Sequence, residues 1–172
     1  MPSVVFVHPD PDQGWEEAFA WLQEGHLGKV TLSRGLNFKG RESIGKVTGP
    51  TRVPKFVDYD LWCGTRPVTP LMRERLHYEW HWQWPYGNGD IGNQGVHQMD
   101  IARWGIPGAT LPTSVLSFGG RFGYKDQGET ANTQVTAFDY GETQLIFEVR
   151  GQSPRNHVTN AFHFEDGTIR ED

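Results

Sequence analysis

A single cysteine, Cys63, stands in 172 residues. No disulfide can close within the chain, and a lone thiol suits a reducing compartment, so the cytoplasm is the expected location. Long apolar runs are missing: nothing approaches the roughly 20 residues of a membrane-crossing helix. The start, Met1-Pro2-Ser3, has no charged segment leading into an apolar one, so no export signal is read there. Basic clusters are lacking as well. A net charge of -5 without a Lys/Arg run argues against a nucleic-acid partner. Low-complexity tracts and internal repeats are absent.

What the chain has in quantity is aromatic side chain, 13% of residues including 7 Trp. Disordered chains are poor in aromatics, so this composition reads as folded. The length suits one domain, or one domain with a short appendage. A chain of this size hides roughly 70% of its unfolded surface. The tryptophans either fill a core or line a site that grips flat, apolar ligand faces.

The first forty residues predict β-α-β. Val4 to Val7 reads as a buried strand, ended by His8-Pro9-Asp10-Pro11. After Asp12, the helical spacing of Trp15, Ala18, Phe19 and Leu22 predicts a helix that Gly25 stops. Gly28 to Phe38 reads as a second strand, which implies a parallel pair with a crossover helix. Residues 39–57, rich in Gly, Lys, Arg and Pro, predict a long loop of the functional or mobile kind. From 77 to 86, Tyr78, Trp80, Trp82, Trp84 and Tyr86 alternate with His77, Glu79, His81 and Gln83. Period two predicts a strand with a ladder of rings on one face. A helix is expected from about Gly92 to Trp104, with Asp90 as N-cap and Pro107-Gly108 closing it. Strand-like runs follow at 114–118, 121–124, 133–140, 143–150 and 160–164. Tyr140-Gly141-Glu142-Thr143 joins two of them as a hairpin. The expected fold class is α+β: a mostly antiparallel open sheet, helices on one face, preceded by a short β-α-β piece.

The helix from Gly92 to Trp104 carries the chemistry. Asn93 and His97 are four apart, so they share one face, one turn from each other. Asp100, three further on, can orient the imidazole. Gly92 and Gly95 permit close approach of a backbone or a ligand. An imidazole beside an amide suits a site that handles a hydroxyl or carbonyl, with His97 moving the proton. Gln94, Trp84 and Tyr86 are expected to border the same pocket. Arg121, followed by Tyr124 and Lys125, is a candidate to pair with a substrate oxygen. A surface salt bridge is the alternative for Arg121, and mainly core packing is the alternative for the rings. His77 and His81, about 13 Å apart on a strand, are not expected to share a metal, and no metal site is read elsewhere.

The string Tyr86-Gly-Asn-Gly-Asp-Ile-Gly-Asn-Gln-Gly-Val-His-Gln-Met-Asp-Ile-Ala-Arg-Trp104 resembles the signature helix of the Gfo/Idh/MocA oxidoreductases. Asp58 to Gly64, Phe118 to Lys125, Gln144 to Gly151 and Gly28-Lys29-Val30 resemble other stretches of that family. The likeness runs over roughly residues 20–165. It implies an NAD(P)-dependent sugar or polyol oxidoreductase, with the cofactor on an N-terminal nucleotide-binding domain. On that likeness, residues 1–38 correspond to the end of such a domain. Residues 39–172 correspond to the C-terminal substrate and oligomerisation domain, which in relatives continues further. The resemblance gives His97 the proton-transfer role. It places Asn93 where relatives carry an acidic residue; an amide can hold a hydroxyl but cannot act as a base.

Two family features are missing from these residues: the Glu-Lys-Pro string with its catalytic lysine, and the Gly-x-Gly-x-x-Gly fingerprint after a strand. No cofactor is therefore expected on the isolated chain, only NAD(P) in full-length relatives. Partners expected are a small sugar or polyol and a second copy bound through the open sheet face. Two alternatives stay open: a non-catalytic self-associating or carbohydrate-binding module, and a cofactor-free isomerase or lyase with His97 as base. Substrate identity, the choice of NAD or NADP and oligomer size are not legible in the sequence.

Overall fold

The computed structural model describes residues 3–5 and 11–170. In chain order the elements are β1 (Ser3–Val5), α1 (Pro11–Gln23), β2 (Val30–Phe38), α2 (Tyr59–Cys63), α3 (Gly95–Trp104), β3 (Ser114–Gly120), β4 (Thr133–Asp139), β5 (Gln144–Arg150), β6 (His157–Phe164) and β7 (Thr168–Arg170). Two short 3-10 turns, Glu79–Trp82 and Gly89–Ile91, precede α3.

The strands form one seven-stranded sheet in the order β1-β7-β6-β2-β5-β4-β3. Pairing is parallel at β1–β7 and β2–β5 and antiparallel elsewhere, so the expected α+β class is what folds. The expected hairpin is present, with β4 and β5 antiparallel and Gly141 turning the corner at φ 83. A left-handed backbone there favours glycine. The expected adjacent parallel pair is not made. β1 and β2 run the same way, but β7 and β6 lie between them. β6 offers β2 eight register positions, whereas β1 has three residues to offer any partner. Phe6 and Val7, the rest of the expected first strand, lie outside the described residues.

α1 and α3 cover one face. Trp15 and Phe19 of α1 meet Phe162 of β6 edge-on at 5.1 Å each, and Phe164, Ile169 and Val30 complete that cluster. α3 packs Ala102 against Leu145, Phe147 and Val149 of β5, with Ile106 just beyond its end. Each such side chain contributes about 1.5–3 kcal/mol on burial. The register puts Leu36, Ile146, Val135, Ala137, Leu116 and Phe118 on the opposite face. No helix covers it among the described residues, and Leu116 and Phe118 are 68% and 65% exposed.

The expected loop at 39–57 is a loop, and it is pinned to one end of the sheet. Arg41 N–H donates to the Gly151 carbonyl at 2.7 Å, Ile44 N–H to Asp126 at 2.9 Å, and Val47 N–H to Gln127 at 2.8 Å. The aromatic strand at 77–86 does not form. Tyr78 takes a left-handed φ of 66 and opens the 3-10 turn Glu79–Trp82 instead. Alternation orders side chains but supplies no neighbouring strand. Glu79 and His81, which a strand would leave in solvent, are buried. Pro85 brings no N–H donor. Gly87 lies so close to His81 that a Cβ would sit 2.6 Å from its Cα. The run at 121–124 is not a strand either. Gly123 has φ 76, and Arg121 folds the segment back onto Asp126.

Candidate functional site

α3 starts at Gly95, later than the sequence spacing suggests. Asp90 is not its cap. The carboxylate is fully buried and takes two bonds from Arg41, Nε to Oδ2 at 3.0 Å and Nη2 to Oδ1 at 2.6 Å. Gln94 holds the N-cap position without a side-chain cap. The glycines do bring backbone close to the sheet. A Cβ at Gly95 would lie 2.7 Å from the Phe147 ring, and one at Gly35 of β2 would lie 3.1 Å from Gln98. Ser33 of β2 donates to the Ala102 carbonyl at 2.7 Å, which fixes α3 lengthwise.

On the outer flank of α3, His97 is exposed and lines a hollow of about 530 Å³ with Asp100, Arg103, Phe138 and Tyr140. Asp100 turns its carboxylate to Arg103 at 3.4 Å rather than to the imidazole. Arg103 also donates to the Ala109 carbonyl at 3.0 Å. The hollow therefore combines an accessible imidazole, an ion pair and two aromatic walls. It can exchange a proton with a hydroxyl and hold a ring.

Asn93 does not stand beside His97 on a helical turn. It sits in the turn that leads into α3, half-buried, with its N–H on the Gly89 carbonyl. Gln94 faces inward: its amide oxygen accepts from Lys39 Nζ at 3.2 Å and its nitrogen donates to Gln98 at 3.2 Å. Asn160 of β6 continues this polar string, donating to the Gln98 carbonyl at 2.7 Å. Asn37 is fully buried, and neither atom of its amide has a protein partner.

Arg121 is committed to Asp126, Nε to Oδ1 at 2.7 Å and Nη2 to Oδ2 at 2.6 Å, with side chains 9% and 1% exposed. Its guanidinium also lies 4.8 Å from the centre of the Trp82 ring. Burial alone would raise the Asp126 pKa. Arg121 and the N–H groups of Ile44 and Gly128 outweigh that and hold the carboxyl well below the usual range. The Tyr124 hydroxyl bonds the Arg41 carbonyl. His81 bonds the Tyr78 carbonyl through Nδ1, and burial pushes its imidazole pKa down. Trp84 is exposed, and its N–H donates to Glu129 at 2.9 Å. Tyr86 packs on Trp62 at 4.7 Å and reaches the Cys63 Sγ at 3.7 Å. None of these residues lines the His97 hollow.

The structure thus brings together His97 and Asp100, adds Arg103, Phe138 and Tyr140, and spends Arg121 and Tyr124 on holding the long loop. The hairpin residue Tyr140 reaches the hollow only because β5 packs beneath α3. Phe138 carried no chemical signal. Among the described residues no cluster of His, Cys, Asp or Glu could hold a metal, and no helix is long and apolar enough to cross a membrane.

An open, mostly antiparallel sheet with helices on one face, and a histidine-bearing helix across its middle, defines an alpha/beta domain. The chain belongs to the Gfo/Idh/MocA oxidoreductase family: the profile of its C-terminal alpha/beta domain matches residues 19–115. Solved structures share the fold at low identity. The WlbA dehydrogenase from Bordetella pertussis, in complex with NADH and UDP-GlcNAcA, is 17% identical with a TM-score of 0.59, over 90% of this chain and 38% of that one. GenD2 from gentamicin A biosynthesis, in complex with NAD, is 13% identical with a TM-score of 0.61, over 92% and 36%. Levoglucosan dehydrogenase, in complex with NADH and levoglucosan, is 15% identical with a TM-score of 0.59, over 90% and 36%. The chain therefore spans less than two fifths of the length of these proteins. No curated protein matches it.

A dinucleotide does not fit the residues present. Phe6 to Asp10, between β1 and α1, contain no glycine. Among the described residues β1 and β2, the strands on either side of α1, are not neighbours, whereas the dinucleotide-binding unit pairs the two strands that flank its helix.

Proposed function

We propose that the chain is the substrate-side and self-assembly part of an NAD(P)-dependent sugar or polyol oxidoreductase. The observation that carries this is the exposed imidazole of His97 in a hollow on the family's own helix. In this reading His97 takes the proton from, or returns it to, a substrate hydroxyl. Asp100 with Arg103 borders the ring, while Asn93, in the turn that leads into α3, lies outside the hollow and takes no part in this reading. Residues 1–38 then descend from the end of a nucleotide-binding domain, and 39–172 form the substrate domain. β2 is the strand by which the first piece enters the middle of the sheet, and β1 lies at its edge. The uncovered face, with Leu116 and Phe118, pairs with a second copy.

Two measurements test the reading. NADH titrated against the purified chain, followed by nicotinamide fluorescence, should give no micromolar binding; such binding would overturn the division of labour. Sugar titrations followed by nuclear magnetic resonance should shift resonances around His97. Shifts confined to the exposed sheet face would favour a second reading, a non-catalytic assembly module, which the uncovered Leu116 and Phe118 support.

A further inference from the structure

A second cavity adjoins the hollow at His97. Tyr140 lines both, and the second is the larger, about 810 Å³, at the C-terminal end of α3. Phe19 and the half-exposed Trp104 give the larger cavity an apolar wall, and Lys29, Glu142 and Glu165 stand among its polar lining. Neither His97 nor Asp100 reaches it. Both volumes fall within the usual range for organic ligands, about 300–1,000 Å³. His97 and Trp104 are seven positions apart on one helix, about 10 Å along its axis. That is about the span of two linked sugar rings.

The lining suits a second ring rather than an extended apolar chain. An indole presents a flat apolar face that receives the C–H face of a pyranose. Carboxylates accept hydroxyl hydrogens, and ammonium groups donate. Glu142 holds Lys29 Nζ at 3.1 Å, and Glu165 accepts the Lys29 N–H at 3.0 Å. These side chains are held beside the cavity while staying open to solvent, and each carboxylate keeps acceptor positions free.

We infer that the substrate is a glycoside of at least two units, with its reacting ring at His97 and a second ring over Trp104. This rests on the sugar-oxidoreductase reading and narrows its substrate class.

The test uses calorimetric titration of the purified chain with glucose, cellobiose and trehalose. At least one disaccharide should bind about tenfold tighter than glucose, the worth of one aromatic face contact. Trp104→Ala should remove that advantage and leave glucose binding unchanged, and His97→Ala should weaken both sugars. Glu142→Gln, at an exposed position, should weaken only the disaccharide and does so without touching the core. Equal affinity for one ring and two, or a disaccharide advantage that survives both Trp104→Ala and Glu142→Gln, would overturn the two-ring inference and leave the oxidoreductase reading standing. Absence of binding by all three sugars would overturn the sugar reading and the inference with it.

Discussion

Gly95→Ala isolates the contact that sets the height of α3 above the sheet. In an unconstrained helix this exchange stabilises by about 1 kcal/mol, because alanine loses less backbone freedom. Here the added methyl would stand 2.7 Å from two Phe147 ring carbons and 3.1 Å from the Asp90 carbonyl oxygen. Phe147 is fully buried in a cluster with Leu145, Val149, Ala102 and Ile106, and Asp90 is fixed by Arg41. Neither neighbour can yield freely. Overpacking of this kind costs about 1–3 kcal/mol. With the propensity gain subtracted, the expected net effect lies between about zero and a loss of about 2 kcal/mol. For a domain of this length a loss lowers Tm by about 2–4 °C per kcal/mol. Urea unfolding at equal slope gives the free energy directly. The neighbouring Val96→Ala is the control. Val96 is 48% exposed, so the exchange should be neutral or stabilising by a few tenths of a kcal/mol. Stabilisation by Gly95→Ala comparable to that control would refute the reasoning, since α3 would then not press on Phe147.

Asp90→Ala leaves the Arg41 guanidinium buried without its carboxylate and should cost about 3–5 kcal/mol in chemical denaturation; a loss below about 1 kcal/mol would mean the pair is solvated. The folded pKa of Asp126 lies below its unfolded value near about 3.9. Its stabilisation is therefore complete above that value and is lost as the pH falls through and below it. The stability gap between the wild type and Asp126→Asn should narrow as the pH drops from about 5 to about 2, and a gap that widens on acidification contradicts the sign. Phe118→Asp places a charge on the uncovered sheet face and should shift the mass seen by light scattering toward the monomer, while Tm of the monomer stays within about 2 °C; an unchanged oligomer would exclude that face as the contact. His97→Ala should leave the unfolding free energy within about 0.5 kcal/mol, as for other exposed positions. A larger loss would mark the imidazole as a packing residue.

The legible parts of the chain were those whose signal is local. The Tyr140–Thr143 turn declares a hairpin, because a glycine with left-handed backbone stands between two runs of strand formers, and β4 and β5 follow in register. The spacing from Trp15 to Leu22 declares an amphipathic helix, and Trp15, Ala18 and Phe19 do enter the core. The parts that misled were those where a side-chain pattern needs a distant partner to become structure. The rings from Tyr78 to Tyr86 have the period of a strand, but among the described residues the segment pairs with no strand of the sheet; it coils into a 3-10 turn and buries Glu79 and His81. Arg121 illustrates the same limit for function. Its sequence neighbourhood suggests a ligand contact, whereas Asp126, five residues later, takes its Nε and one of its terminal nitrogens. The site divides along that line. His97 was readable because its helix and its exposure depend on nearby residues. Phe138 and Tyr140, which complete its hollow, arrive by sheet register and are invisible until β4 and β5 are laid beneath α3. Sequence reading therefore singled out an imidazole that the fold leaves exposed in a hollow. The walls around that imidazole are set by the fold, and the two-ring test probes those walls directly.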